Sequence, residues 1–141
     1  MSISELLEEL SALEFEEDYL SELDDIAERL VEEDARGEAI EPVFRFLETH
    51  RDIDLGLPGP LVHYLERFFH KGYEEKLMDS LRRAPTPRTV WMLNRLLNGL
   101  AGSAKEPYLL EMKRLTSLED PEVTQLALRF AALHDPRSAG G

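Results

Sequence analysis

Apolar residues recur along this chain at steps of three and four, and nowhere alternate with period two over the length of a strand. Ile3, Leu6, Leu7, Leu10 and Leu13 share one face of a first helix over 3–13, which Ser2 or Ser4 can cap. After a charged break at 14–18, Leu20, Leu23, Ala27, Leu30 and Val31 form the inward stripe of a second helix that ends near 34–37. A third helix is predicted over 38–50 with Ile40, Val43, Phe44 and Leu47 inward and Pro42 tolerated in its first turn. Pro60 opens a fourth, with Leu61, Leu65, Phe68 and Phe69 facing the core, Tyr64 near the edge and Gly72 as the interruption. Tyr73, Leu77 and Leu81 mark a fifth helix over 73–84.

The sixth helix is the best delimited. In TPRTVWMLNRLLNGL (86–100), Val90, Leu93, Leu97 and Leu100 form an apolar stripe, Thr86 can accept the first free backbone N–H groups and Pro87 sits where a missing N–H costs nothing. Gly99 or Gly102 offers a left-handed residue to stop it. Tyr108, Met112 and Leu115 define a seventh helix behind Pro107. Asp120 and Pro121 start an eighth, with Val123, Leu126, Ala127, Phe130 and Ala131 as its stripe. The longest connection is RDIDLGLPG (51–59), rich in turn residues.

The pattern is therefore all-α, with about eight helices and short turns. Pairing helices two with three, four with five and six with seven gives antiparallel hairpins that could stack as a short solenoid closed by helix eight; a globular helical bundle is the alternative. The run DPEVTQLALRFAALHDP has the Asp-Pro start and mixed small and large apolar residues typical of the second helix of a helical repeat. We expect a single helical domain over 1–134 and a flexible tail over 135–141.

Charge refines this picture. The net charge is −13, and it is unevenly spread: residues 1–54 hold 19 acidic and 4 basic side chains, residues 55–141 hold 10 and 12. Such an acidic field repels nucleic acid and anionic membrane and attracts a basic partner, although acidic helix faces also serve solubility. The chain has no Cys, which suits a reducing compartment. No apolar run approaches a membrane span and the N-terminus is acidic, so a cytoplasmic protein is expected.

Catalytic machinery is hard to find. His63, Glu66 and His70 fall at i, i+3 and i+7 and could offer a metal one helical face, but no second Glu-x-x-His completes the set; His63 is expected to pack at the loop-to-helix junction. His50 and His134 fall at helix C-termini, where the dipole favours an imidazolium. No Ser lies in a Gly-x-Ser-x-Gly turn and no glycine-rich phosphate loop is present, so neither enzyme activity nor a cofactor is expected. Trp91, Asn94 and Asn98, with Arg95 beside them, form a polar and aromatic stripe on the sixth helix. It could grip a partner's backbone, or Asn94 could tie down the 52–59 loop while Trp91 fills core.

Two segments, GLPGPLVHYLERFFHKGYEEKL (56–77) and SLRRAPTPRTVWMLNRLLNG (80–99), resemble small all-helical, HEAT-like bacterial immunity proteins of polymorphic-toxin and contact-dependent inhibition systems. The resemblance spans roughly 52–102. It carries over to Pro58, Gly59, Pro60, His63, Glu66, Pro85, Thr86, Thr89, Trp91, Asn94, Arg95 and Asn98, each as a toxin-binding or fold-holding position. It implies a protein that binds and blocks a cognate toxin, and the acidic first third makes a basic, nuclease-type toxin the expected partner; the sequence does not give the oligomeric state, and a monomer is the expectation. In such proteins the variable acidic part often meets the toxin, so Asp18, Glu22, Asp25, Glu32, Glu41 and Glu48 are the candidate contacts, with His63, Trp91, Asn94, Arg95 and Asn98 as a second set. A helical-repeat adaptor for an extended peptide is the competing function.

Overall fold

The computed structural model describes residues 2–56 and 58–134, so the expected tail at 135–141 lies outside the described residues. Eight α-helices and one 3-10 turn make up the secondary structure among them, with no strand. They are α1 (Ile3–Ser11), α2 (Tyr19–Glu33), α3 (Ile40–Thr49), α4 (Pro60–Glu66), α5 (Tyr73–Arg83), α6 (Pro87–Asn98), the 3-10 turn (Gly102–Lys105), α7 (Glu106–Leu115) and α8 (Pro121–Leu133). The protein is all-α, as the periodicity requires. None of these helices is long and apolar enough to cross a membrane. The chain divides into two compact units, Met1–Lys76 and Leu77–Gly141.

In the first unit, α2 packs mainly on α4 and α1. Ser2 caps α1 by accepting from the Glu5 N–H at 3.1 Å. On α2 the buried stripe is Leu23, Ile26, Ala27 and Leu30, at i, i+3, i+4 and i+7. Two residues expected inside are not: Leu20 is 41% exposed and Val31 37%. Val31 sits about 100° round the helix from Leu30, which carries it past the edge of the stripe. Phe44 stacks on Tyr73 with ring centroids 6.1 Å apart, and Tyr64 meets Phe68 edge-on at 5.4 Å. Tyr64, expected at the edge, is fully buried, while Phe69 is only partly so.

A buried carboxylate explains the placement of Tyr64. Asp34 ends α2 and is 1% exposed; its oxygens accept from the backbone N–H groups of Glu38 at 2.8 Å and Ala39 at 2.9 Å, and from the Tyr64 hydroxyl. One side chain thus closes α2, starts the turn into α3 and anchors α4. Burial alone would raise its pKa, but the hydrogen bonds from Tyr64 and from the backbone at Ala39, Glu38 and Gly37 outweigh it and hold the carboxyl below its ordinary value.

In the second unit, α6 packs on α7 and α8, and α7 on α8. Val90, Leu93 and Leu97 are buried as expected, joined by Met92 and Leu96, while Leu100 is half-buried. Thr86 caps α6 through a reciprocal pair: the Thr89 N–H donates to Thr86 Oγ1 at 3.1 Å and the Thr86 N–H to Thr89 Oγ1 at 3.0 Å. Gly99 ends the helix in a right-handed conformation (φ −92°), and the left-handed glycine, Gly102, comes three residues later. Asp120 caps α8 by accepting from the N–H groups of Glu122 and Val123. Glu111 of α7 is buried and held by Arg114, whose guanidinium also donates to the Leu81 carbonyl at 3.2 Å, with Arg82 at 3.9 Å.

The helix pairing differs from the expected hairpins. The six-with-seven pair forms, but the main partner of α2 is α4 rather than α3. Asp34 and Tyr64 supply the reason, since together they draw α4 onto the end of α2.

Candidate functional site

The acidic first third folds into a groove. Its walls are the end of α1, the connection 12–18 and the first half of α2, enclosing about 670 Å³. The connection is too charged to bury itself, and two aromatic side chains fix it. Phe15 packs edge-on against Tyr19 at 5.3 Å and reaches Phe46 and His50 of α3 at 6.4 and 5.2 Å. The Tyr19 hydroxyl donates to the Asp54 carbonyl at 2.7 Å. With these anchors set, Glu14, Glu16 and Glu17 are left at the surface, lining the groove.

Seven carboxylates line it: Glu9 from α1, Glu14, Glu16 and Glu17 from the connection, then Asp18, Glu22 and Asp25. Ala12, Leu13, Tyr19 and Ile26 supply the apolar part of the lining. Asp18, Glu22 and Asp25 follow at i, i+4 and i+7, so they form one row along α2, about 10 Å long. Asp18 stands at the N-cap of α2 without making a side-chain cap bond, and its carboxylate does no capping work there. Arg29 brings a cation to one end of the row, 3.6 Å from Glu9. An acidic concavity with apolar lining favours long cationic side chains, whose methylene stems can lie on Leu13 and Ile26 while their heads meet carboxylates.

The structure sorts the six acidic candidates into groups. Asp18, Glu22 and Asp25 line the groove together. Glu32 continues the same face of α2 two turns further on, exposed and outside the groove. Glu41 and Glu48 lie on α3 and do not line the groove. Glu41 is engaged within the fold, 3.3 Å from Arg45 and 3.0 Å from Lys76, and Glu48 is half-buried. Glu9, Glu14, Glu16 and Glu17 were not singled out by sequence, although the density of acid at 14–18 was the available signal.

The second set of candidates does not converge on one site. His63 is exposed rather than packed at the junction, with Nδ1 3.8 Å from Glu66. The His63, Glu66, His70 trio does not share a helical face, because α4 stops at Glu66 and His70 adopts a left-handed backbone (φ 67°). His70 turns to Glu74 instead, its backbone N–H donating to Oε1 at 2.8 Å and its ring lying 3.5 Å from Oε2. Among the described residues no group of three or more His, Cys, Asp or Glu is placed to hold a metal.

On α6, Trp91 is half-buried with the Arg95 guanidinium 5.0 Å from its ring centre, a cation–π contact. Asn98 is exposed. The hydrogen bond of Asn94 runs to the end of α8, where His134 Nε2 lies 2.7 Å from Oδ1. No family model, curated protein sequence or solved structure matches this chain.

Proposed function

We propose that this protein is an immunity-type inhibitor, which binds a basic bacterial toxin through its acidic groove and blocks it by occupying its surface. The observation that carries this reading is the groove itself: seven carboxylates around an apolar lining, held in place by Phe15 and Tyr19. The resemblance of 52–102 to immunity proteins points the same way. A nuclease is the fitting target, because an enzyme that grips phosphates displays the Lys and Arg that these carboxylates complement. The complex would form in the cytoplasm between one copy of each protein, with fast, salt-sensitive association and with Leu13 and Ile26 packing against the stems of the partner's cations.

The test is binding to the protein encoded beside this one. A one-to-one complex with a nanomolar Kd that weakens as salt rises is the expected result; no nanomolar complex would overturn the reading. A second reading, an adaptor that grips an extended peptide along α6, draws on the Trp91–Arg95 stack and the exposed Asn98. It requires Asn94 to meet the peptide, and that amide is engaged by His134.

A further inference from the structure

We infer that the last turn of α8 is a pH-sensitive strap: the neutral imidazole of His134 ties it to Asn94 of α6 and to Lys105 of the 3-10 turn, and protonation of that ring in mild acid breaks the tie to Lys105 and loosens the strap. His134 is the C-cap of α8, its backbone N–H bonding back to the Phe130 carbonyl at 3.2 Å. Its two ring nitrogens face groups of opposite demand. Nδ1 lies 3.3 Å from Lys105 Nζ, and Nε2 lies 2.7 Å from Asn94 Oδ1. An ammonium has three donors and no acceptor, so Nδ1 must offer its lone pair; an amide oxygen only accepts, so Nε2 must carry the hydrogen. One species meets both demands, the neutral ring protonated at Nε2.

A second proton has to enter at Nδ1, where it faces an ammonium. The Lys105 hydrogen bond is then lost and replaced by a contact between like charges. Of the elements packed on α8, α6 places the uncharged Asn94 at the ring and carries Arg88 and Arg95. On α7 the charged residues are Glu106, Glu111, Lys113 and Arg114, with Glu111 taken up by Arg114 and Arg82. α8 itself carries Glu122 and Arg129. The charge that acts on the ring among the described residues is that of Lys105. A helix C-terminus favours a cationic imidazole, which was the expectation for His134 from sequence. Here burial, and after it Lys105, push the ring below its ordinary value instead.

The sign follows. A His whose folded value lies below its unfolded value of 6.5 contributes stability that is fully present above that pH and is lost as pH falls through the folded value. The imidazolium keeps its Nε2–H, so the bond to Asn94 persists in acid, and what is lost is the tie between the end of α8 and the 3-10 turn at Lys105.

The experiment is a titration of the His ring resonances of the full chain by NMR, with amide exchange read in parallel and corrected for its intrinsic pH dependence. His134 should titrate below 6.5, and amides of the last turn of α8 should exchange on the order of tenfold faster across the same range. Lys105→Gln should move the His134 midpoint upward, and His134→Gln, which can still donate to Asn94, should flatten the exchange profile. If His134→Gln fails to fold, Lys105→Gln still reads the midpoint on the native ring. A midpoint at or above 6.5, no response to Lys105→Gln, or exchange at α8 that ignores the titration would each overturn the strap.

Discussion

Tyr64 donates its phenolic hydrogen to the carboxylate of Asp34, thirty residues earlier in the chain, and both side chains are buried. Burial raises the Tyr64 pKa, and its bond to the Asp34 carboxylate and the charge there raise it further, so the hydroxyl stays a donor at every working pH. Tyr64→Phe keeps the ring and removes the donor. It should cost about 1.5–3 kcal/mol at neutral pH by urea unfolding, the range for a hydrogen bond to a charged group. Because the Asp34 carboxyl is held below its ordinary value, its stabilisation is present above an unfolded pKa near 3.8 and is lost as pH falls through the folded value. Tyr64→Phe should therefore move the acid-unfolding midpoint, followed by circular dichroism, to higher pH.

The turn into α4 rests on Gly59, which has φ +90° directly before Pro60. A Cβ there would collide with the carbonyl oxygen of Leu55, a backbone atom that can yield only if the loop moves. Gly59→Ala combines that collision with a left-handed conformation and should cost about 2 kcal/mol or more. Gly72→Ala, also at positive φ but with open space around the added carbon, is the control and should cost less. Thermal unfolding of the two variants side by side makes the comparison.

The row on α2 separates binding from folding. Neutralising it with Asp18→Asn, Glu22→Gln and Asp25→Asn removes three exposed charges and no cap bond, so unfolding free energy should change by less than about 1 kcal/mol. Association with the proposed basic partner should slow by about 10- to 100-fold at low salt, and the difference should shrink at high salt. Glu41→Gln is the contrasting variant. It loses ion pairs with Arg45 and Lys76 inside the fold and should leave association unchanged. Stopped-flow mixing at two ionic strengths reads both.

Asn94→Ala distinguishes the two functional readings. If α6 is scaffold, the variant loses the His134 bond, lowers stability by about 1 kcal/mol and leaves partner affinity intact. A loss of affinity with stability unchanged would move the binding face to α6. Calorimetry on the folded variant measures both quantities.

The amphipathic pattern revealed the helices because each helix must bury one stripe, and the residues that repeat at three and four record it. It also placed the caps at Thr86 and Asp120 and narrowed the first to Ser2 or Ser4, because the signal is local. It did not find the buried carboxylates. Asp34 and Glu111 are charged residues that become core because Tyr64 and Arg114 meet them, and Tyr64 lies far from Asp34 in sequence. Periodicity says which face is buried, not which helix covers it, and so the α2–α4 pairing was missed along with the depth of Tyr64. The groove was half visible: the acid was plain in 14–18, whereas the part played by Phe15 depends on Phe46 and His50, more than thirty residues away.

Phe15 and Tyr19 have an energetic counterpart in the groove they secure. They hold seven carboxylates around one concavity, with Arg29 as the cation beside it, and like charges kept together repel. Added salt weakens that repulsion and firms up the free protein, while on the proposed function the same ions would loosen its grip on a basic partner. Folding and the proposed binding would therefore answer ionic strength with opposite signs, the mutual repulsion of the unbound carboxylates becoming part of the driving force when a partner's cations relieve it.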